Sequence, residues 1–215
     1  MSEVARLRQV RDEIARAAES VDRDPDDVTL VAVSKSRSAD EIRALYDLGV
    51  RDFGESRLQE ALPKMEALPG DVRWHFIGVL QSNKARRIAE RFALVHTLAS
   101  EGALREIAKV GGDVLLEVNV AEEPQKGGIF PHTLDAMMNG VLHYGNVRLR
   151  GLMTIGPADV PLARTREIFR TLHDLAAGRG LPVLSMGMSA DYAVAVQEGA
   201  THVRVGSSLF GERPR

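Results

Sequence analysis

The sequence predicts an α/β fold, a single (β/α)8 barrel of the TIM type preceded by one extra helix. Three observations carry this expectation. Eight short β-rich runs alternate with helix-like stretches along the chain, a pattern that produces parallel strands joined by crossover helices. No linker or low-complexity tract interrupts the alternation, so residues 1–215 are read as one domain. The first strand-to-helix turn, SKSRSAD (34–40), contains no glycine, whereas an open dinucleotide-binding sheet needs several there.

The elements follow in order. In MSEVARLRQVRDEIARAAES, Val4, Leu7, Ile14 and Ala18 fall on one helical face and mixed charges on the rest, which is the pattern of a surface helix. Glu3, Asp12, Glu13 and Glu19 argue against a secretory or transit leader. An acidic turn, Asp22–Asp27, leads into the β-rich runs 29–35, 50–55, 72–78, 93–98, 113–120, 147–155, 182–188 and 201–207. Each but the last is followed by a helical pattern.

Composition narrows the function classes. A formal net charge of −2 and 5% aromatic residues supply neither the basic excess nor the stacking platform that nucleic-acid binding uses. No apolar run is long enough to span a membrane. The absence of cysteine removes disulfides and thiolate chemistry and fits a reducing compartment, so the cytoplasm is expected. The histidines show no ligand spacing, and no metal is expected.

In such a barrel the chemistry sits where strands end. The last two strand ends, in LSMGMSADYAVAVQEGATHVRVGSSLFG, are rich in glycine and serine. Ser189 is read as the N-cap of a helix beginning near Ala190, and Gly206, Ser207 and Ser208 as a turn whose amides approach an anion. Loops after strands seven and eight are a frequent phosphate site in barrels. Asp191 opposes this reading unless it points away.

The first strand, LVAVSK, ends on Lys35. Val31, Val33 and Lys35 share parity, so the lysine points into the mouth when the valines fill the interior. An amine partly withdrawn from water is the group that condenses with an aldehyde. A lysine opposite a phosphate nest suggests a ligand with an aldehyde at one end and a phosphate at the other, such as pyridoxal 5′-phosphate. In THVRVGS, Arg204 falls on the face opposite Val203 and Val205. Facing the interior, it needs either an acidic partner or a ring nitrogen to which it donates. His75 in WHFIG either lines the pocket or is a hydrogen-bonded core residue. Met153 in GLMTI either rests against a cofactor ring or fills the core. EEPQKGG (122–128) is a mobile loop beside the mouth or a solvated turn.

Together these stretches resemble a known family, the YggS/PROSC-type pyridoxal phosphate homeostasis proteins, related to the N-terminal barrel of alanine racemase. The matching segments are LVAVSK (30–35), FGESRLQE (53–60), WHFIGVLQSNK (74–84), EVNVAEEPQKGG (117–128), RGLMTIG (150–156) and 184–211. The resemblance implies a fold-type III barrel with the cofactor as a Schiff base on Lys35. It places the phosphate on the loops holding Ser185, Gly187, Ser189, Gly206, Ser207 and Ser208, with Arg204 near the ring nitrogen. Ser56 stands where the family usually has asparagine.

Alanine racemase also uses a tyrosine from a C-terminal β-domain, and none of Tyr46, Tyr144 and Tyr192 is placed for that role. The expectation is therefore a monomeric cofactor-buffering protein, with apo pyridoxal phosphate-dependent enzymes as candidate partners. The alternatives are an amino-acid racemase working through Lys35 and a lysine-dependent aldolase acting on a sugar phosphate.

Overall fold

Eight parallel strands close into a barrel in chain order, β1 to β8, in the computed structural model, which describes residues 1–157 and 160–211. They are β1 (Thr29–Val33), β2 (Asp52–Glu55), β3 (Arg73–Phe76), β4 (Leu94–Leu98), β5 (Gly112–Glu117), β6 (Val147–Met153), β7 (Val183–Ser185) and β8 (His202–Val205). Every strand is shorter than its sequence run, because the runs extend past the paired residues at one end or at both. Lys35 thus stands two residues beyond β1, in a loop.

Crossover helices α2 (Ala39–Asp47), α3 (Leu58–Ala67), α4 (Ser82–Ala89), α5 (Glu101–Ile107), α6 (Leu134–Leu142), α7 (Leu162–Ala177) and α8 (Tyr192–Gln197) surround the sheet. A short helix, α9 (Ser207–Phe210), follows β8, where the sequence pattern had promised none. The first helix, α1 (Glu3–Glu19), is capped by the Ser2 hydroxyl and buries Leu7, Val10, Ile14, Ala17 and Ala18. Val4 is exposed, so the buried face runs through Val10 instead. This helix packs on α8 and α9. Arg6 Nε donates to the Leu209 carbonyl at 2.6 Å, and the Tyr192 hydroxyl donates to the Glu13 carboxylate.

The main core lies between sheet and helices, built on outward strand residues such as Phe53, Phe76, Leu116, Leu152 and Val203. Burying each large side chain contributes roughly 1.5–3 kcal/mol. The inward residues divide into two halves. Leu94, Leu115, Met153 and Val183 form a separate apolar cluster, while Asp52, His75, His96, Ser185 and Arg204 are buried polar groups. The apolar layers usual in such barrels thus fill only part of this interior.

The β7–β8 seam is short, with one registered pair, Ser185 with His202. Above it the Met186 amide donates to the His202 carbonyl at 3.1 Å and the Arg204 amide to the Gly187 carbonyl at 3.0 Å. The strands then part, and their loops frame the mouth.

Candidate functional site

A cavity of about 400 Å³ opens at the C-terminal mouth. Lys35 and Arg37 border it on one side, Ser189, Ala190, Gly206 and Ser207 on another, and Arg204 forms part of the wall. Val33, Ile77, Ile155 and Met188 supply its apolar surface.

The loop that presents Lys35 is clamped from behind. Glu55 is wholly buried at the end of β2. Its Oε1 accepts from the Ser34 hydroxyl at 2.6 Å and from Lys64 Nζ at 2.7 Å. Lys64 also donates to the Ser34 carbonyl at 2.9 Å and to Glu60 at 3.0 Å. Glu60 in turn accepts from the Ser36 amide. That bond holds Ser36 at φ 62°, a left-handed conformation uncommon for serine. Residues 34 and 36 are therefore fixed on both sides of Lys35. Burial pushes the Glu55 carboxyl up despite its bonds to Lys64 and Ser34.

Opposite Lys35, the backbone N–H groups of Ser189, Ala190, Ser207 and Ser208 have no acceptor among the described residues. Free amides converging on one cavity are an anion site. Ser189 does not cap a helix. The α8 N-cap is Asp191, and the Ser189 hydroxyl accepts from the Gly206 amide at 3.2 Å, tying the two mouth loops together. Asp191 turns back on its own loop, accepting from the Met188 amide at 2.6 Å, and burial raises its carboxyl. Gly187 is required where it stands. Its φ is 90°, and a Cβ there would lie 2.5 Å from the Ala195 methyl.

Arg204 is 4% exposed. Nη1 donates to the Ser185 hydroxyl at 2.6 Å and Nη2 to the Thr154 carbonyl at 2.9 Å. Neither acceptor is charged, and Arg204 makes no ion pair among the described residues. Burial pushes its pKa down to about 10, while Asp191 and Glu117 pull the other way. A buried cation without a contacting carboxylate, beside a cavity, is suited to a polar ligand.

The chain is matched over residues 6–214 by the family described as alanine racemase, N-terminal domain. The chain belongs to that family. Proteins named pyridoxal phosphate homeostasis protein are 43% identical in Pseudomonas aeruginosa (99% of this chain, 97% of that one). In Aquifex aeolicus the identity is 40%, over 99% of both chains. The solved structure of PipY from Synechococcus elongatus PCC7942 with pyridoxal phosphate bound superposes with a TM-score of 0.78 at 37% identity. That match covers 92% of this chain and all of the other. Alanine racemase from Clostridium difficile shares the fold, with a TM-score of 0.72 at 13% identity, and this chain spans 58% of it.

Within the family fold, the residues singled out by sequence separate into groups. Lys35, Ser189, Arg204, Gly206 and Ser207 line one cavity. Ser208 lies beside it, contributing its free amide. Ser56 lines a neighbouring cavity of about 660 Å³ that shares Ile77 and Ile155 with the first. Met153 is fully buried among Leu94, Leu115 and Val183, beneath the mouth, so it packs the interior instead of facing a ligand. His75 and Ser185 are likewise internal. His75 Nε2 meets Asp52 at 2.9 Å, its Nδ1 meets His96 at 2.9 Å, and His96 Nδ1 meets Ser185 at 2.8 Å.

Arg37 was missed. It is buried in the cavity wall, donates to the Gly211 carbonyl at 2.6 Å and lies 5.4 Å from the centre of the Phe210 ring. Its position in SKSRSAD, two residues after Lys35, was the available signal. The 122–128 segment is held by Asn119, whose side chain bonds to both the amide and the carbonyl of Glu123. Its Gly127 and Gly128 border the larger cavity.

Proposed function

We propose that this chain binds pyridoxal 5′-phosphate at the barrel mouth, covalently through Lys35, and serves the homeostasis of that cofactor by holding and releasing it. One observation carries the reading: a clamped lysine, the backbone amides of Ser189, Ala190 and Ser207, free among the described residues, and a buried arginine with no contacting carboxylate among them converge on one cavity, with the Ser208 amide beside it. When bound, the cofactor supplies an aldehyde for an amine and a phosphate for the amides. The relatives named for pyridoxal phosphate homeostasis and the cofactor-bound PipY structure support the same assignment.

Lys35 provides the amine. The amides of Ser189, Ala190, Ser207 and Ser208 bind the phosphate. Arg204 stays charged at neutral pH, its pKa being about 10, so toward the ring nitrogen it acts as a donor. That contact leaves the nitrogen unprotonated and the ring a weak electron sink. Slow or absent turnover follows from this pairing. No tyrosine borders the cavity, and Tyr192 is engaged with Glu13 on the outer face, which removes the usual second acid/base of racemisation.

We infer that the chain acts as one cofactor-binding domain, a cytoplasmic monomer with apo-enzymes as recipients. No described helix is long and apolar enough to cross a membrane.

The test is the visible absorption spectrum of the purified protein before and after borohydride, for wild type and Lys35→Ala. A yellow wild type that reduces to a stable adduct, beside a variant that forms none, is the expected result. A wild type that stays colourless after incubation with pyridoxal phosphate overturns the reading and favours an aldolase-like site. Fast, saturable α-proton exchange on an amino acid would establish an enzyme instead.

A further inference from the structure

The polar half of the barrel interior holds a continuous chain, Asp52–His75–His96–Ser185–Arg204, with successive contacts of 2.9, 2.9, 2.8 and 2.6 Å. It runs from Asp52 at the N-terminal face, where Arg73 also binds the carboxylate, to Arg204 at the mouth. With both imidazoles neutral, the two ends leave it a single direction. Arginine only donates, so the Ser185 oxygen accepts from Arg204 and its hydroxyl hydrogen is free for His96 Nδ1. An ionised carboxylate only accepts, so His75 donates from Nε2 and, as a neutral imidazole, accepts at Nδ1. His96 then carries its proton on Nε2 and accepts at Nδ1. Every link donates toward Asp52.

Among the described residues no other side chain bonds to either imidazole. His202 packs against both rings, at 5.9 and 6.1 Å, but its Nδ1 is occupied by Thr201 at 3.0 Å. The other half of the interior is apolar.

We propose that Asp52, His75 and His96 are positioning residues for cofactor retention, fixing the Ser185 hydroxyl so that Arg204 is held with its remaining N–H groups free for the cavity. This rests on the cofactor reading above and adds to it a control that begins at the opposite face of the barrel. Asp52 touches no part of the cavity, so its influence passes through the chain.

The test joins two readouts. In the cofactor-free full chain labelled with 15N-histidine, NMR is expected to show His75 and His96 neutral and protonated at Nε2. Asp52→Asn offers His75 a donor as well as an acceptor, so both tautomers should appear. Pyridoxal phosphate should then dissociate about fivefold faster, the worth of one hydrogen bond. Asp52→Glu should restore both readouts. Arg73→Gln, which removes the ion pair to the same carboxylate but spares the chain, should change neither. Protonation of His96 at Nδ1 in the wild type overturns the proposal. So does an Asp52→Asn variant that releases the cofactor at the wild-type rate while the wild type binds normally. A wild type that takes up no pyridoxal phosphate overturns the cofactor reading itself, and the role in retention with it.

Discussion

Lys64 meets Glu55 at 2.7 Å inside the barrel wall, directly behind the loop that carries Lys35. The carboxylate is wholly enclosed and its Oε2 has no partner among the described residues, where Lys64 is its one ion-pair partner. Removing one member of a buried pair strands the other charge, at a cost of about 3–5 kcal/mol. Lys64→Met should lower stability by that order in denaturant titration. Adding Glu55→Leu should recover much of the loss, whereas additive losses in the double variant would show that the pair is not coupled.

Acid should destabilise the fold through its buried imidazoles. Burial, reinforced by the neighbouring His75, holds His202 at about 4, below the ordinary value near 6.5. The unfolded chain therefore binds a proton that the folded chain refuses. The stability this gives is intact above pH 6.5 and is lost as pH falls toward 4, amounting to about 3 kcal/mol for a shift of this size. His202→Gln should flatten that part of the pH–stability curve. An unchanged slope would remove His202 as its source.

Asp52 acts lower on the scale. Burial opposes its charge, but bonds from His75 and Arg73 hold it at about 2. Its contribution is present above pH 3.8, the ordinary aspartate value, and fades as pH falls through 2. Asp52→Asn should remove this contribution, so that the loss of stability below pH 4 becomes shallower in acid titration.

Arg204 illustrates a trade between stability and binding. A buried guanidinium bonded only to neutral oxygens costs solvation that no carboxylate returns. Arg204→Gln keeps a donor for Ser185 and drops the charge. The cofactor-free protein should gain about 1–2 kcal/mol, while pyridoxal phosphate binds at least tenfold more weakly. Weaker binding with no gain in stability would mean that the charge is already compensated.

Gly187→Ala places a methyl 2.5 Å from that of Ala195 at φ 90°. The combined strain and overlap should cost about 2–3 kcal/mol. The β7–α8 loop would shift, so cofactor affinity should fall together with the melting temperature.

The barrel was legible because alternation is a local property, visible without knowing which strands meet. Lys35 and Arg204 were legible through strand parity and their place at the mouth. The runs overshoot β1, β3 and β6 because Ser34, Lys35, Ile77 and Ile155 continue the sequence pattern past the last strand residue. Ser189 was taken for a helix cap because serine before an apolar run commonly is one; its actual partner, the Gly206 amide, is 17 positions away. His75 and Met153 illustrate the limit of parity, which gives the side of a strand but not the depth along the barrel. The polar chain draws on five strands, through contacts between residues 19 to 89 positions apart, and no window of sequence contains it.

The clasp between Arg6 and Leu209 spans 203 positions and bears on the order of events during synthesis. The first helix leaves the ribosome early but finds its seat only when α8 and α9 have followed. The amides of Ser207 and Ser208 belong to that same late segment. Without it, Lys35 would face only the Ser189 and Ala190 half of the proposed phosphate site. On the proposed reading, an amine early in the chain gains its phosphate cradle only when β8 has closed against β1 and α9 has formed after it.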